Sequence, residues 1–350
     1  MKIDKNYAIA FDDVDLIPRY SEVESRTKVD TTMSLKNKDG SEYIFKLPVI
    51  SSPMQSVTES EMAFRIFLQG GLGLLHRFCS IEQQVGFVKI CDPYIIIGAA
   101  IGANGDYIER AQALVDAGVS IICVDIAHGH SSIMKKALTE LVKVLPSNVH
   151  LMAGNVATGE AFRDLANWGA DSVRVGISSG AACSTAINTG HGLPTLQSII
   201  DCEHERILDP KLRSVAIIAD GGIKKPGDLV KAYAAGADFC MLGSLLAGTK
   251  ASPGNIVKTD DGRWMKEYFG SASYKAQKLA GKTKIHEEGV SALVPYTGKL
   301  ENIIESIVNG VTSGCSYSGV NKLSDLKHHA MFRMITHAGF LQAIPHAKNR

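Results

Sequence analysis

The sequence predicts an α/β fold, a single (β/α)8 TIM barrel with a mobile flap inserted after the eighth strand. Three observations carry that prediction. Eight short, mostly apolar runs recur along the 350 residues, and helical patterns lie between them. Near-continuous apolar strands are those buried on both faces, as parallel strands are. Polar or glycine residues stand where strands hand over to loops: Ser52, His76, Asp125, Asn155, Cys183, Asp220 and Gly243. In a closed barrel those ends form one rim, where barrel chemistry takes place.

In order, a polar lead-in reaches Phe11-Asp12-Asp13-Val14-Asp15-Leu16-Ile17-Pro18, which mixes acidic and apolar residues and stops at proline. Asn37-Lys38-Asp39-Gly40 reads as a hairpin turn between two short strands. Strand then alternates with helix. Pro48–Ser52 precedes a helical pattern from Glu59 to Leu68. Leu72–Leu75 ends at His76-Arg77, with helix from Ile81. Ile95–Ala99 precedes a helix from Asp106 to Ala117. Ile121–Val124 ends at Asp125, before a helix from Ser132. His150–Ala153 ends at Gly154-Asn155, before a helix from Gly159. Ser172–Val175 runs into the loop Gly176-Ile177-Ser178-Ser179-Gly180-Ala181-Ala182-Cys183-Ser184-Thr185. Val215–Ile218 ends at Asp220-Gly221-Gly222, with helix from Pro226, and Phe239–Leu242 ends at Gly243-Ser244. From Ala251 to Gly298 the chain is polar and lacks apolar periodicity, so a flap over the rim is expected there. Helical pattern returns from Glu301 to Val308.

Charge excludes some classes of partner. Lys+Arg 37 against Asp+Glu 36 leaves +1, which argues against nucleic acid or an anionic membrane as partner. Seven scattered cysteines with no CxxC suit reduced thiols in a cytoplasmic protein. The start, Met1-Lys2-Ile3-Asp4-Lys5, lacks a signal-like apolar segment, and no apolar run is long enough to span a bilayer.

The cysteine loop has two readings. Gly176 and Gly180 would allow positive φ and close approach to a ligand, leaving Cys183 exposed as a nucleophile. Most free cysteines, though, are buried and inert. Asp220-Gly221-Gly222 and Gly243-Ser244 suit a phosphate cradle, or simply tight turns. Asp220 could accept hydrogen bonds from a ribose or cap the next helix. Asp125, followed by His128 and His130, is equally open, and the i,i+2 histidines diverge on a helix and do not suggest a metal. His76-Arg77 could meet an anion or be salt-bridged.

These motifs together resemble the inosine-monophosphate dehydrogenase and guanosine-monophosphate reductase family over nearly the whole chain. The resemblance runs through Ser51-Ser52-Pro53-Met54, Asp125 to Ser131, Gly154-Asn155-Val156, Ala219 to Lys224, Met241 to Ser244 and Glu267 to Ser271. It implies that Cys183 attacks purine C2, with Thr185 and Glu288 handling the proton and the leaving ammonia. It implies that Gly222, Gly243, Ser244 and Tyr268 hold the phosphate, and that Gly180 and Gly270 also bind the substrate. Asp220 would hold the ribose, and Ser52, Met54 and Asn155 would line the nucleotide site. Asp125, His128 and Arg77 would face the nicotinamide cofactor, and backbone atoms of Gly176, Ser178 and Cys183 would form a potassium site.

The chain is similar to the reductase branch in lacking the tandem regulatory insert after strand two and in its short flap without an Arg-Tyr pair. This implies NADPH as cofactor, a purine nucleotide (GMP or IMP) as ligand, and a homotetramer. The tail His337-Ala338-Gly339-Phe340 resembles the dehydrogenases instead. Ser178, Ser179 and Ala181 depart from the Gly-Pro-Gly-Ser pattern of the loop. That departure keeps open a variant purine or a catalytically lapsed nucleotide binder, and it puts the potassium site in doubt.

Overall fold

A computed structural model describes residues 6–271, 273–279 and 289–345. Eight parallel strands close into a barrel: β1 (Val49–Ser51), β2 (Leu72–Leu75), β3 (Ile97–Ile101), β4 (Ile121–Asp125), β5 (His150–Val156), β6 (Ser172–Val175), β7 (Ala216–Asp220) and β8 (Phe239–Leu242). Each pairs with its neighbours in sequence, and β8 closes on β1 through Cys240↔Val49 and Leu242↔Ser51. The expected TIM barrel is therefore the observed fold.

The period of two explains why these strands read as apolar throughout. Ile50, Leu72, Leu74, Ile121, Cys123, Met152, Ile218, Phe239 and Met241 point into the barrel and form one core. Their alternates Val49, Leu75, Ile122, Val124, Leu151, Ala153, Ile217 and Ala219 pack outward against the helices in a second. The expected hairpin, Met33–Lys36 with Glu42–Phe45, plugs the end of the barrel away from the rim. Its Leu35 and Phe45 join the inner core, Phe45 meeting Phe239 edge-on at 5.5 Å.

Differences from the sequence expectation have local causes. Helix Thr195–Leu208, between β6 and β7, was not expected; it buries only one narrow face through Leu196, Ile199 and Cys202. The last large helix runs Leu300–Tyr317, well beyond Val308. Gly310 and Gly314 there read as breakers, but they let helix Pro226–Ala234 approach: an added Cβ would lie 2.3 Å from Pro226 and 2.5 Å from Val230. The Ala251–Gly298 stretch contains a three-stranded antiparallel sheet, Ile256–Lys258, Trp264–Phe269 and Ser291–Pro295. Its pairing of Trp264–Phe269 with Ser291–Pro295 is distant in sequence and Ser291–Pro295 is mostly exposed, so no alternation marks it. Val14–Leu16 pairs antiparallel with Phe332–Met334, joining the two ends of the chain.

Candidate functional site

At the carboxyl ends of the strands lies a cavity of about 490 Å3. Barrel register builds its floor. Asp125, Arg174 and Asp220 each end the inward row of their strands, so they converge. The Arg174 side chain is 7% exposed and lies between the two carboxylates. It donates to Asp125 Oδ1 at 2.5 Å and to Asp220 Oδ2 at 2.7 and 3.2 Å. Burial pushes the Asp125 carboxyl up, but Arg174 and Arg77 outweigh it and hold it below the usual carboxylate range. Burial works against the Arg174 charge as well, yet Asp220 and Asp125 keep it firmly protonated. Asn155 completes the floor by donating to Asp220 Oδ2 at 2.8 Å and to the Gly176 carbonyl at 2.9 Å. Asp220 therefore does not cap the following helix, whose N-cap is Lys225. Arg174 was missed as a site residue. The available signal was a charge on the inner face of an apolar strand, which has to be paired.

The cysteine loop crosses this floor. Gly176 has φ +145°, and a Cβ there would lie 1.9 Å from the Asp220 carbonyl oxygen. Only glycine fits. Gly180 does not use positive φ, contrary to expectation; Ser178 does, at +73°. The Ser178 hydroxyl accepts the Ala186 N–H at 3.0 Å and so holds the start of helix Thr185–Thr189. Cys183 is the one cysteine among the seven that lines the cavity, and its Sγ lies 3.2 Å from Thr185 Oγ1. The stretch after strand eight touches this loop: Val290 N–H donates to Ala182 O at 2.9 Å, and Cys183 bridges Gly289. Gly270 sits where a Cβ would come within 2.9 Å of Ala182 O.

A second group of hydroxyls stands across the cavity. Around the point where a Cβ of Gly243 would sit are Tyr268 Oη at 3.1 Å, Ser52 Oγ at 3.2 Å and Met54 Sδ at 3.4 Å. Ser52 Oγ is buried without a hydrogen-bond partner among the described residues. Burial pushes the Tyr268 phenol up, with Asp220 and Cys183 adding to it, so it remains an O–H donor. Gly222 and Ser244 line the same wall. On the opposite side Arg77 Nε stands 3.5 Å from Asp125 Oδ2 and has no closer hydrogen-bond partner among the described residues.

A profile of the IMP dehydrogenase / GMP reductase domain matches residues 8–346. The chain belongs to the IMP dehydrogenase/GMP reductase family. It is 34% identical to an inosine-5'-monophosphate dehydrogenase of Borreliella burgdorferi, covering 97% of this chain and 96% of that protein. It is 36% identical to a GMP reductase of Streptococcus agalactiae, covering 91% and 92%. Its fold is similar to a crystal structure of a GMP reductase variant from Trypanosoma brucei in complex with guanosine 5'-monophosphate. That match has TM-score 0.90, 26% identity and 98% of both chains covered. The chain is accordingly an oxidoreductase, in a family whose relatives carry both names.

The cavity gathers almost every residue that the sequence singled out. Ser52, Met54, Arg77, Asp125, Asn155, Gly176, Ser178, Gly180, Cys183, Thr185, Asp220, Gly222, Gly243, Ser244, Tyr268 and Gly270 all line it. His128 does not: it is exposed on the loop after β4 and stands outside the lining. Glu288 lies outside the described residues. Gly176, Ser178 and Cys183, the expected potassium ligands, lie together on the cavity wall, the Gly176 carbonyl accepting the Asn155 amide. Arg77 suits a phosphate-bearing cofactor as a cation on the cavity wall, its buried Nε facing Asp125 at 3.5 Å with no closer partner among the described residues.

Proposed function

We propose that the chain is a GMP reductase, converting GMP to IMP and ammonia with NADPH through a bond between Cys183 and purine C2. One observation carries the direction: from Ser273 to Gly289 there is no arginine and no Arg-Tyr pair. In the family resemblance, dehydrogenases hydrolyse the cysteine adduct with an Arg-Tyr pair on this segment, and reductases need no water. Supporting this, Gly289 and Val290, at the end of that segment, are tied to the backbone of Cys183 and Ala182.

The residues take the following roles. Gly222, Gly243, Ser244, Tyr268 and Gly270 hold the phosphate, with the free Ser52 hydroxyl as a donor. Gly180, Met54 and Asn155 flank the nucleotide, and Asp220, oriented by the Arg174 guanidinium, accepts from the ribose hydroxyls. Cys183 Sγ adds to C2 as its proton leaves, and the C2–N bond breaks once the amine is protonated, releasing ammonia. Thr185, 3.2 Å from the thiol, and Glu288 move that proton, because amide ion is too poor a leaving group to depart alone. Arg77 and Asp125 would hold the nicotinamide cofactor, which supplies the hydride to C2 when bound. The Cys183–C2 bond then breaks and IMP leaves. The same reading places a homotetramer in the cytoplasm.

The second reading is an IMP dehydrogenase using NAD. The tail His337-Ala338-Gly339-Phe340 and the Borreliella burgdorferi relative favour it. Purified protein should oxidise NADPH and release ammonia with GMP, and should leave IMP with NAD unchanged. The reverse pattern would establish the second reading, and nucleotide binding without either turnover would mark a lapsed enzyme.

A further inference from the structure

His76 ends β2 beneath the Arg77 side of the cavity and is 2% exposed. Its ring is held between Phe78, stacked at 6.4 Å, and Phe87, edge-on at 5.6 Å. The Phe78 N–H points at Nδ1 at 3.2 Å, so Nδ1 carries no proton and the ring is the Nε2–H tautomer. Nε2 faces Glu59 Oε1 at 3.4 Å. Two buried amides fix the same turn from the other side. Gln84, fully buried, donates to His76 O at 2.9 Å and to Ala100 O at 2.8 Å, and Gln55 donates to Phe78 O at 3.1 Å. Three backbone groups of the turn, His76 O, Phe78 N–H and Phe78 O, are thus each held by a side chain. Arg77 and Phe78, the residues so held, are the ones that line the cavity, with the Arg77 guanidinium over the Phe78 ring at 4.9 Å.

We propose that His76 is a positioning residue. Its Nδ1 accepts the Phe78 N–H and so closes the 76–78 turn, which sets Arg77 and Phe78 as the fixed wall against which the cofactor seats. The structural part stands without the proposed activity, and only its kinetic consequence rests on that reading. A carboxylate or amide oxygen at position 76 could close the same turn, because Asn and Asp side chains accept from the N–H two residues on. A hydrocarbon ring of similar size could not.

His76→Phe keeps the ring contacts and removes the acceptor, and His76→Asn restores the acceptor without the ring. Exchange of the Phe78 amide, followed by NMR, should quicken at least about tenfold in His76→Phe and return toward the wild-type rate in His76→Asn. Steady-state kinetics with GMP and NADPH should show a rise in cofactor KM of roughly 10- to 100-fold in His76→Phe, with the dissociation constant for GMP unchanged. His76→Asn should recover most of that loss. An unchanged Phe78 amide in His76→Phe, or loss of protection in His76→Asn, would overturn the assignment. Should His76→Phe fail to fold, His76→Ala makes the same comparison. If wild-type protein turns over neither GMP nor IMP, the proposed activity fails while amide exchange still decides the role of His76.

Discussion

Arg174 shows why a charge inside an apolar strand belongs to the chemistry. Among the described residues it alone bridges Asp125 and Asp220, and without it that link between two buried carboxylates is lost. Arg174→Met should therefore lower stability by about 3–5 kcal/mol, measured by urea unfolding, and should raise the Asp125 carboxyl because only Arg77 then offsets its burial. Arg174→Lys, a single ammonium unable to fork to both partners, should fall between the two proteins. An Arg174→Met protein as stable as wild type would show that the pair needs no cation. For the thiol, Cys183→Ala should cut turnover by on the order of 10⁴-fold or more while nucleotide binding persists, read by steady-state rates and calorimetry. Retained turnover would remove the covalent step. The sequence made Cys183 legible through the glycines around it. Arg174 was not legible as a site residue, because partners 49 and 46 residues away in the chain settle its role.

At the scale of elements, the eight barrel strands were readable because both faces are buried and the apolar pattern is unbroken. Their limits moved by about two residues where polar ends still pair, as at Asp220↔Met241. The sheet of Trp264–Phe269 with Ser291–Pro295 was unreadable, because it is half exposed and its register depends on a distant partner. The plug hairpin was readable from its turn, and its anchor carries a prediction. His150, fully buried at the start of β5, faces Asn37 Oδ1 at 3.2 Å and Ser172 Oγ at 2.8 Å. Burial holds its imidazole down to about 3. The unfolded chain takes up that proton near 6.5 and the folded one only near 3, so the unfolded state binds more protons between them. The stability that neutral His150 contributes is thus complete above about 6.5 and is lost progressively as pH falls toward 3. From pH 7 to 5 this group should take away about 2 kcal/mol, seen as a falling urea midpoint. His150→Gln, uncharged throughout, should lack that component, and equal acid slopes for the two proteins would refute it.

For the whole molecule, the join between the two ends of the chain bears on the nucleotide wall. Val14–Leu16 pairs with Phe332–Met334, and the join continues through Ile17 N–H to Met331 O and Ile335 N–H to Asp13 O, each at 2.9 Å. The turn just before it, Phe11–Asp13, lies against the loop that follows β7. Phe11 is buried 3.6 Å from where a Gly222 Cβ would be, Asp12 pairs with Lys225 at 2.9 Å, and Lys231 donates to Phe11 O at 3.0 Å. Removing residues 331–350 deletes the partner strand of this turn while leaving every barrel pairing in place, since β8 closes on β1 without it. The far-ultraviolet dichroism of the truncated protein should therefore stay close to wild type. Its affinity for GMP should nevertheless fall about tenfold, about 1.4 kcal/mol, because Gly221 and Gly222 lose the packing that fixes their positive φ. Full affinity in the truncated protein would mean that the cradle is held by the barrel alone. Loss of the helical signal would mean that the join supports the barrel itself, because closure of the eight strands would then depend on contacts made outside them.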